Sequence, residues 1–177
     1  MKNNAKNSRD RILWLCRAGI IAALYVALTY LAMLLGLDKN AIQIRFSEAL
    51  CVLAFLSPAA IPGLTVGCFL ANLLTGCAPL DIALGPVATL IGALGAYLLS
   101  KLKNQKRGMW LCSLPNIIAN TITVPFVIYL CYTPANERSL SVIPFFALTV
   151  LIGELISCAL IGTALLFSSG KILKKIL

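Results

Sequence analysis

The sequence predicts an all-α integral membrane protein of about six transmembrane helices, with both termini on the cytoplasmic side. Three observations carry this. The chain is 60% hydrophobic and 12% charged, whereas soluble domains run at about 45–50% apolar and about 25% charged; its mean hydropathy is +0.93. Apolar runs at 18–37, 82–99 and 142–167 approach or exceed the roughly 20 residues that cross a hydrocarbon layer. Basic residues gather at the edges of these runs: Lys2, Lys6, Arg9, Arg11 and Arg17, then Lys101, Lys103, Lys106 and Arg107, then Lys171, Lys174 and Lys175.

Basic clusters beside apolar runs mark the cytoplasmic side. The formal charge of +9 is therefore a topological signal, and a nucleic-acid partner is not expected. The first apolar stretch is too long for a signal peptide and has no small-x-small site before a polar region, so it is expected to remain as a span. The chain is expected to form one transmembrane domain over 1–177, with 1–11 as a basic cytoplasmic tail.

With all three clusters on one side, an even number of spans must separate each from the next. The run 18–37 supplies the first span, so 42–100 must supply an odd number. Two breaker stretches divide it: "SPAAIPG" (57–63), with Pro58, Pro62 and Gly63, and "TGCAPLD" (75–81), with Gly76 and Pro79. Prolines remove backbone donors and glycines free the chain. Three segments result, at 46–57, 61–75 and 80–100. The first covers only about 18 Å against a hydrocarbon core of about 30 Å. Lipid cannot satisfy the exposed ends of so short a helix, so it must be surrounded by protein or line a cavity. Entered from outside, it places Arg45 and Glu48 at its outer end. Two further spans, 109–132 and 142–167, are separated by the polar "YTPANERS".

Small residues recur at i, i+4 spacing, which lets backbones approach closely in lipid. Ala18 and Ala22, with Gly19, Ala23 and Ala27, form such rows on the first helix. Gly63, Gly67 and Ala71 repeat the pattern on the third segment, and Ala88, Gly92 and Ala96 on the fourth. The later rows are expected to pack within the bundle, and the first-helix face is expected to receive another membrane subunit.

Ionisable residues inside spans are costly and generally face a cavity. Here they are Glu48, Asp81 and Glu154, joined by the amides Asn72, Asn116 and Asn120. The topology puts Glu48, Asn72 and Asp81 toward the outer face and Asn120 and Glu154 near mid-depth, where they could converge on one outward-opening pocket. Structural roles stand beside this reading. Ser47 could cap the second helix, with Glu48 in its first turn neutralised by Arg45, and Asp81 could cap the fourth. Asn72, Asn116 and Asn120 could cross-link helices. Glu154 has no basic residue within a turn and is the hardest to read as structural. Acids without a buried base suit a ligand rich in donors or positive charge, such as a guanidine-like edge gripped by a carboxylate. Phe126, Tyr129, Tyr132, Phe145 and Phe146 are available to stack on a flat ring or to pack.

The seven cysteines include no C-x-x-C pair, so neither a zinc site nor a thiol redox motif is expected. Cys77 and Cys131 are both expected near the outer surface, where they could bridge. The chain has no histidine, which excludes a Ser-His or His-metal centre. No cofactor and no catalytic activity are expected.

The stretches "RFSEALCVLAFLSPAAIPGLTVGCFLANLLTG" and "DIALGPVATLIGALGAYL" resemble the QueT-type queuosine-precursor transporter family, among the substrate-binding (S) components of energy-coupling factor (ECF) transporters. Arg45, Ser47, Glu48, Ala49 and Leu50, Pro58 to Gly63, Gly67, Cys68, Ala71 and Asn72, and Asp81, Gly85, Ala88 and Thr89 carry the resemblance. Pro86 departs from it, standing where a small residue such as serine is expected beside Asp81. The resemblance implies a six-helix S component that captures queuine, queuosine or another 7-deazaguanine precursor from outside. It implies as partners a transmembrane coupling subunit, met by the smooth face of the first helix, and two ABC ATPases. No Walker A pattern occurs in these residues, so the energy would come from a partner.

Overall fold

The computed structural model describes residues 2–37, 44–134, 136 and 138–176, with the side chains of 2–7, 169, 171 and 173–176 outside that description. The side chains of Lys2, Lys6, Lys171, Lys174 and Lys175 therefore lie outside that description. Among the described residues the regular structure is entirely helical. Four helical runs are long and apolar enough to cross a membrane: Ser8–Leu34, Pro79–Leu99, Gln105–Tyr132 and Leu140–Ser168. Two shorter apolar segments, Phe46–Leu56 and Ala60–Leu74, accompany them.

Helix α1 (Lys2–Leu34) contains no proline and stops at Gly36, whose φ is 69°. The Leu37 N–H reaches the Ala32 carbonyl and the Gly36 N–H the Met33 carbonyl, a Schellman stop that glycine permits without strain. Helix α3 (Ala60–Leu74) ends in the same way at Gly76, with Cys77 N–H on the Asn72 carbonyl.

Between them lies the stunted segment. It is a 3₁₀ stretch, Phe46–Val52, running into one α turn, α2 (Leu53–Leu56). Its length is about 20 Å, still short of the hydrocarbon thickness. Residues 47–55 are all buried, so protein surrounds the segment and its backbone ends meet no lipid. Ser57 closes it in an extended conformation, ahead of Pro58.

Helix α4 (Pro79–Leu99) has proline at its first position and Pro86 buried inside. A short α5 (Gln105–Leu111), capped by Asn104, leads into α6 (Leu114–Val127) and then a π turn, Ile128–Tyr132. The last run holds α7 (Ile143–Glu154), a π segment at Leu155–Gly162, and α8 (Thr163–Ile176). The expected spans at 109–132 and 142–167 are thus continuous helical runs, each widened locally to π geometry.

Helices α1 and α3 pack through their small residues. A Cβ on Gly63 would stand 2.7 Å from the Ala18 carbonyl oxygen, and one on Gly67 3.0 Å from Ala22 Cα. The two backbones touch where no side chain intervenes. This divides the first-helix face: Ala18 and Ala22 are spent on α3, whereas Gly19, Ala23 and Ala27 remain exposed. Large apolar residues such as Ile20, Leu24, Ile91, Leu98, Ile122, Leu148 and Leu160 also point outward, as a lipid-facing surface requires. The core gathers Ile21, Tyr25, Leu64, Cys68, Ile117 and Leu166 around the 3₁₀ segment.

Candidate functional site

The buried polar groups collect around the 3₁₀ segment. Glu48, in its first turn, is almost completely buried. The Tyr25 hydroxyl from α1 donates to Glu48 Oε1. Asn116 and Asn120, one turn apart on α6, point the same way. Asn116 Nδ2 donates to Glu48 Oε2 at 2.8 Å and lies 3.4 Å from Glu154 Oε2. Asn120 Nδ2 donates to Glu154 Oε1 at 2.9 Å and lies 3.4 Å from Glu48 Oε2. Two acids from distant parts of the chain are thereby laced together by two amides, which satisfies buried carboxylate oxygens that water would otherwise have to serve.

Cys158 completes the cluster: its Sγ donates to Glu154 Oε2 at 3.1 Å and lies 3.3 Å from the Glu48 carbonyl. Ligand atoms of Glu48, Glu154 and Cys158 all lie within 4.8 Å of one another, a spacing that could suit a cation. The Asn116 amide nitrogen, however, lies 2.8, 3.4 and 3.3 Å from those three groups. A hydrogen-bond donor thus fills the place a metal would take, so the residues as arranged do not fit one.

A cavity lined by Arg45, Asn120, Val124, Val150, Glu154 and Ser157 opens beside this network. It has about 20 Å³ of room for the centre of a water molecule, enough for one or two waters. A ring-sized ligand needs the walls to move apart.

Arg45 caps the cavity, and its partner differs from the expected one. The guanidinium sits 3.8 Å from Asp81 Oδ2, rather than neutralising Glu48. Tyr132 holds the same carboxylate: its hydroxyl donates to Asp81 Oδ2 at 3.4 Å and accepts from the Ala78 N–H at 2.9 Å. Arg45, Asp81 and Tyr132 thus form a polar clasp joining the entry to the 3₁₀ segment, the start of α4 and the π turn after α6.

Residues 15–171 match the sequence profile of the QueT transporter family. The chain belongs to the QueT transporter family. One curated relative, the queuosine precursor transporter QueT of Lactococcus lactis subsp. cremoris (strain MG1363), is 36% identical over 87 residues. That match covers 49% of this chain and 51% of the relative, so the chain spans about half the length of the relative it matches. No solved structure matches the chain. Membership of this family, together with the apolar helices, makes this a multi-pass bacterial membrane protein.

Within this QueT-family chain, Glu48, Asn116, Asn120 and Glu154 converge in one network, and Arg45 reaches the same cavity. Asp81 belongs to the clasp, away from the network. Asn72 stands behind it, donating to the Asp81 carbonyl at 3.1 Å. That bond serves the first turn of α4, shortly before Pro86 withholds a backbone donor from the helix. The capping roles considered for Ser47 and Asp81 are not what forms: neither the 3₁₀ segment nor α4 has a side-chain cap, and Ser47 Oγ instead lies at hydrogen-bond distance, 3.0 Å, from the Thr29 hydroxyl oxygen. No described aromatic lines the cavity. Phe126 and Phe145 face outward, and Phe145 and Phe146 contact each other at 6.1 Å between ring centres. All seven cysteines are free, so Cys77 and Cys131 do not bridge.

Three participants escaped the sequence reading: Tyr25, Cys158 and Ser157. Tyr25 and Cys158 sit inside apolar runs and read as packing residues. Cys158 lies four positions after Glu154, a spacing that would have flagged it.

Proposed function

We propose that this chain is the substrate-binding (S) subunit of an ECF-type ABC importer. It captures queuosine, queuine or another 7-deazaguanine precursor from outside and delivers it through an ATP-driven coupling module. The observation that carries the reading is the pair of buried carboxylates, Glu48 and Glu154, tied by Asn116 and Asn120, with Glu154 and Asn120 lining the adjoining cavity. A 7-deazaguanine offers adjacent N1 and N2 donors that one carboxylate accepts in parallel, and an amine-bearing precursor adds a cation for the second. The printed name of the Lactococcus relative, a queuosine precursor transporter, points to the same class.

Both termini are taken as cytoplasmic, on the strength of Arg17 and the Lys101–Arg107 cluster at the ends of spans. The clasp end of the bundle then faces outside. The exposed Gly19, Ala23 and Ala27 row supports close docking of a transmembrane coupling subunit, and two ABC ATPases would supply the energy.

The test is calorimetric titration of purified protein with 7-deazaguanine and with its aminomethyl derivative. Micromolar or tighter binding is expected, weakened about tenfold in Glu154→Gln. Unchanged affinity in that variant removes Glu154 from the site, and absence of binding by the wild type ends the substrate assignment. Purification from the native membrane without a coupling subunit and ATPases would end the ECF assignment.

A further inference from the structure

We infer that Ser157 is a specificity-determining substrate contact, donating its hydroxyl hydrogen to a ring carbonyl that lies beside the donor edge held by Glu154. This rests on the substrate reading given above and adds a residue and a discrimination to it.

Ser157 is almost fully buried, and its Oγ has no hydrogen-bond partner. An unpaired buried hydroxyl is costly, and helical Ser and Thr ordinarily avoid this by bonding back to the carbonyl four residues earlier. The protein does so repeatedly: Thr29 to Tyr25, Thr65 to Ile61, Thr75 to Ala71, Thr89 to Gly85 and Ser168 to Ala164. Ser157 does not. It stands in the π segment Leu155–Gly162, and such local widenings frequently occur at functional sites. Thr121 Oγ1 is a second buried hydroxyl without a partner, but only Ser157 lines the cavity.

Of its donor neighbours there, one is engaged and the other is charged. The Asn120 amide donates to Glu154 and Glu48, and the Arg45 guanidinium faces Asp81. Ser157 is therefore the neutral donor left free among the described lining residues, three positions from Glu154 on the same run. An acceptor oxygen next to an N–H edge is the pattern of a lactam, N–H adjoining C=O. Carboxylate and hydroxyl side by side read that pattern, and an amino-substituted ring lacking the oxygen leaves the hydroxyl unpaired.

The test compares 7-deazaguanine with its 6-thio analogue, which keeps the N1 and N2 donors but carries a poorer acceptor. Wild-type protein is expected to prefer the oxo compound. Ser157→Ala is expected to weaken the oxo compound about five- to tenfold and to bring the two affinities together. Ser157→Ala and Ser157→Thr are first shown to melt and elute as the wild type does, and Ser157→Thr, which restores a hydroxyl, is expected to recover the preference. Ser157→Ala retaining the oxo preference, or losing both ligands equally, overturns the assignment while leaving the substrate reading intact. A wild type that binds neither compound overturns both.

Discussion

Asn116 Nδ2 donates to Glu48 Oε2 at 2.8 Å across 68 positions of sequence, and this one amide joins α6 to the stunted 3₁₀ segment while also facing Glu154. Buried carboxylates brought this close are tolerable because donors stand between them. The arrangement makes Asn116 a structural tie between the two acids and, under the proposed function, a binding determinant as well.

Replacing it should show both. Asn116→Leu is expected to leave carboxylate oxygens unpaired and to destabilise the protein by about 1–3 kcal/mol. Asn116→Asp, which adds a third acid, should be worse, and adding Glu154→Gln to it should recover part of the loss. Thermal melting in detergent measures all three; an Asn116→Asp protein that melts like the wild type contradicts the network.

Tyr25 reaches Glu48 from α1. Tyr25→Phe removes a donor and leaves shape intact, so it is expected to weaken substrate binding severalfold with a loss of about 1–2 kcal/mol in stability. Calorimetry and melting on the same sample separate the two effects.

Two rows of small residues on α1 have opposite surroundings. A Cβ at Gly67 would meet Tyr25 Cβ at 2.7 Å, so Gly67→Ala is expected to cost about 1–3 kcal/mol. Ala23→Leu, on the exposed row, should leave melting and ligand affinity unchanged while reducing recovery of partner subunits and uptake. Equal damage from both substitutions would show that the rows are not distinct.

The cavity beside Glu154 has room for one or two waters, so a ring can enter only if the walls part, and the clasp of Arg45, Asp81 and Tyr132 is the expected opening. Asp81→Asn weakens the Arg45 contact and is expected to speed association and dissociation severalfold, with a smaller change in Kd. Stopped-flow fluorescence reads both rates, and unchanged rates would mean that the opening lies elsewhere.

Orientation can be read with thiols. Cys131 is exposed and free at the clasp end, and Lys103 is exposed in the basic connection after α4. With Cys16 and Cys77 replaced by serine, a membrane-impermeant maleimide on intact cells should label Cys131. Lys103→Cys should react only after permeabilisation. The reverse pattern would exclude capture from outside.

The membrane class, the helical spans and the shortness of the 46–57 segment were legible in the residues themselves, and Glu154 stood out there as an acid inside a span with no base within a turn. Each depends on transfer free energy, breaker chemistry or helical spacing, quantities that a single stretch of chain carries within it. Asn116 and Asn120 sharing a face is of the same kind. Only the tertiary structure decided that Arg45 faces Asp81 rather than Glu48, that Tyr25 and Cys158 serve the acids, that Ser157 stands unpaired at the cavity, and that Ala18 and Ala22 are consumed by α3. Those outcomes depend on which distant segments close on one another, and a local pattern of apolar and polar residues is compatible with several closures. Packing selects among them through contacts such as the α1–α3 backbone approach, where a glycine in one helix gains its meaning from an alanine in another.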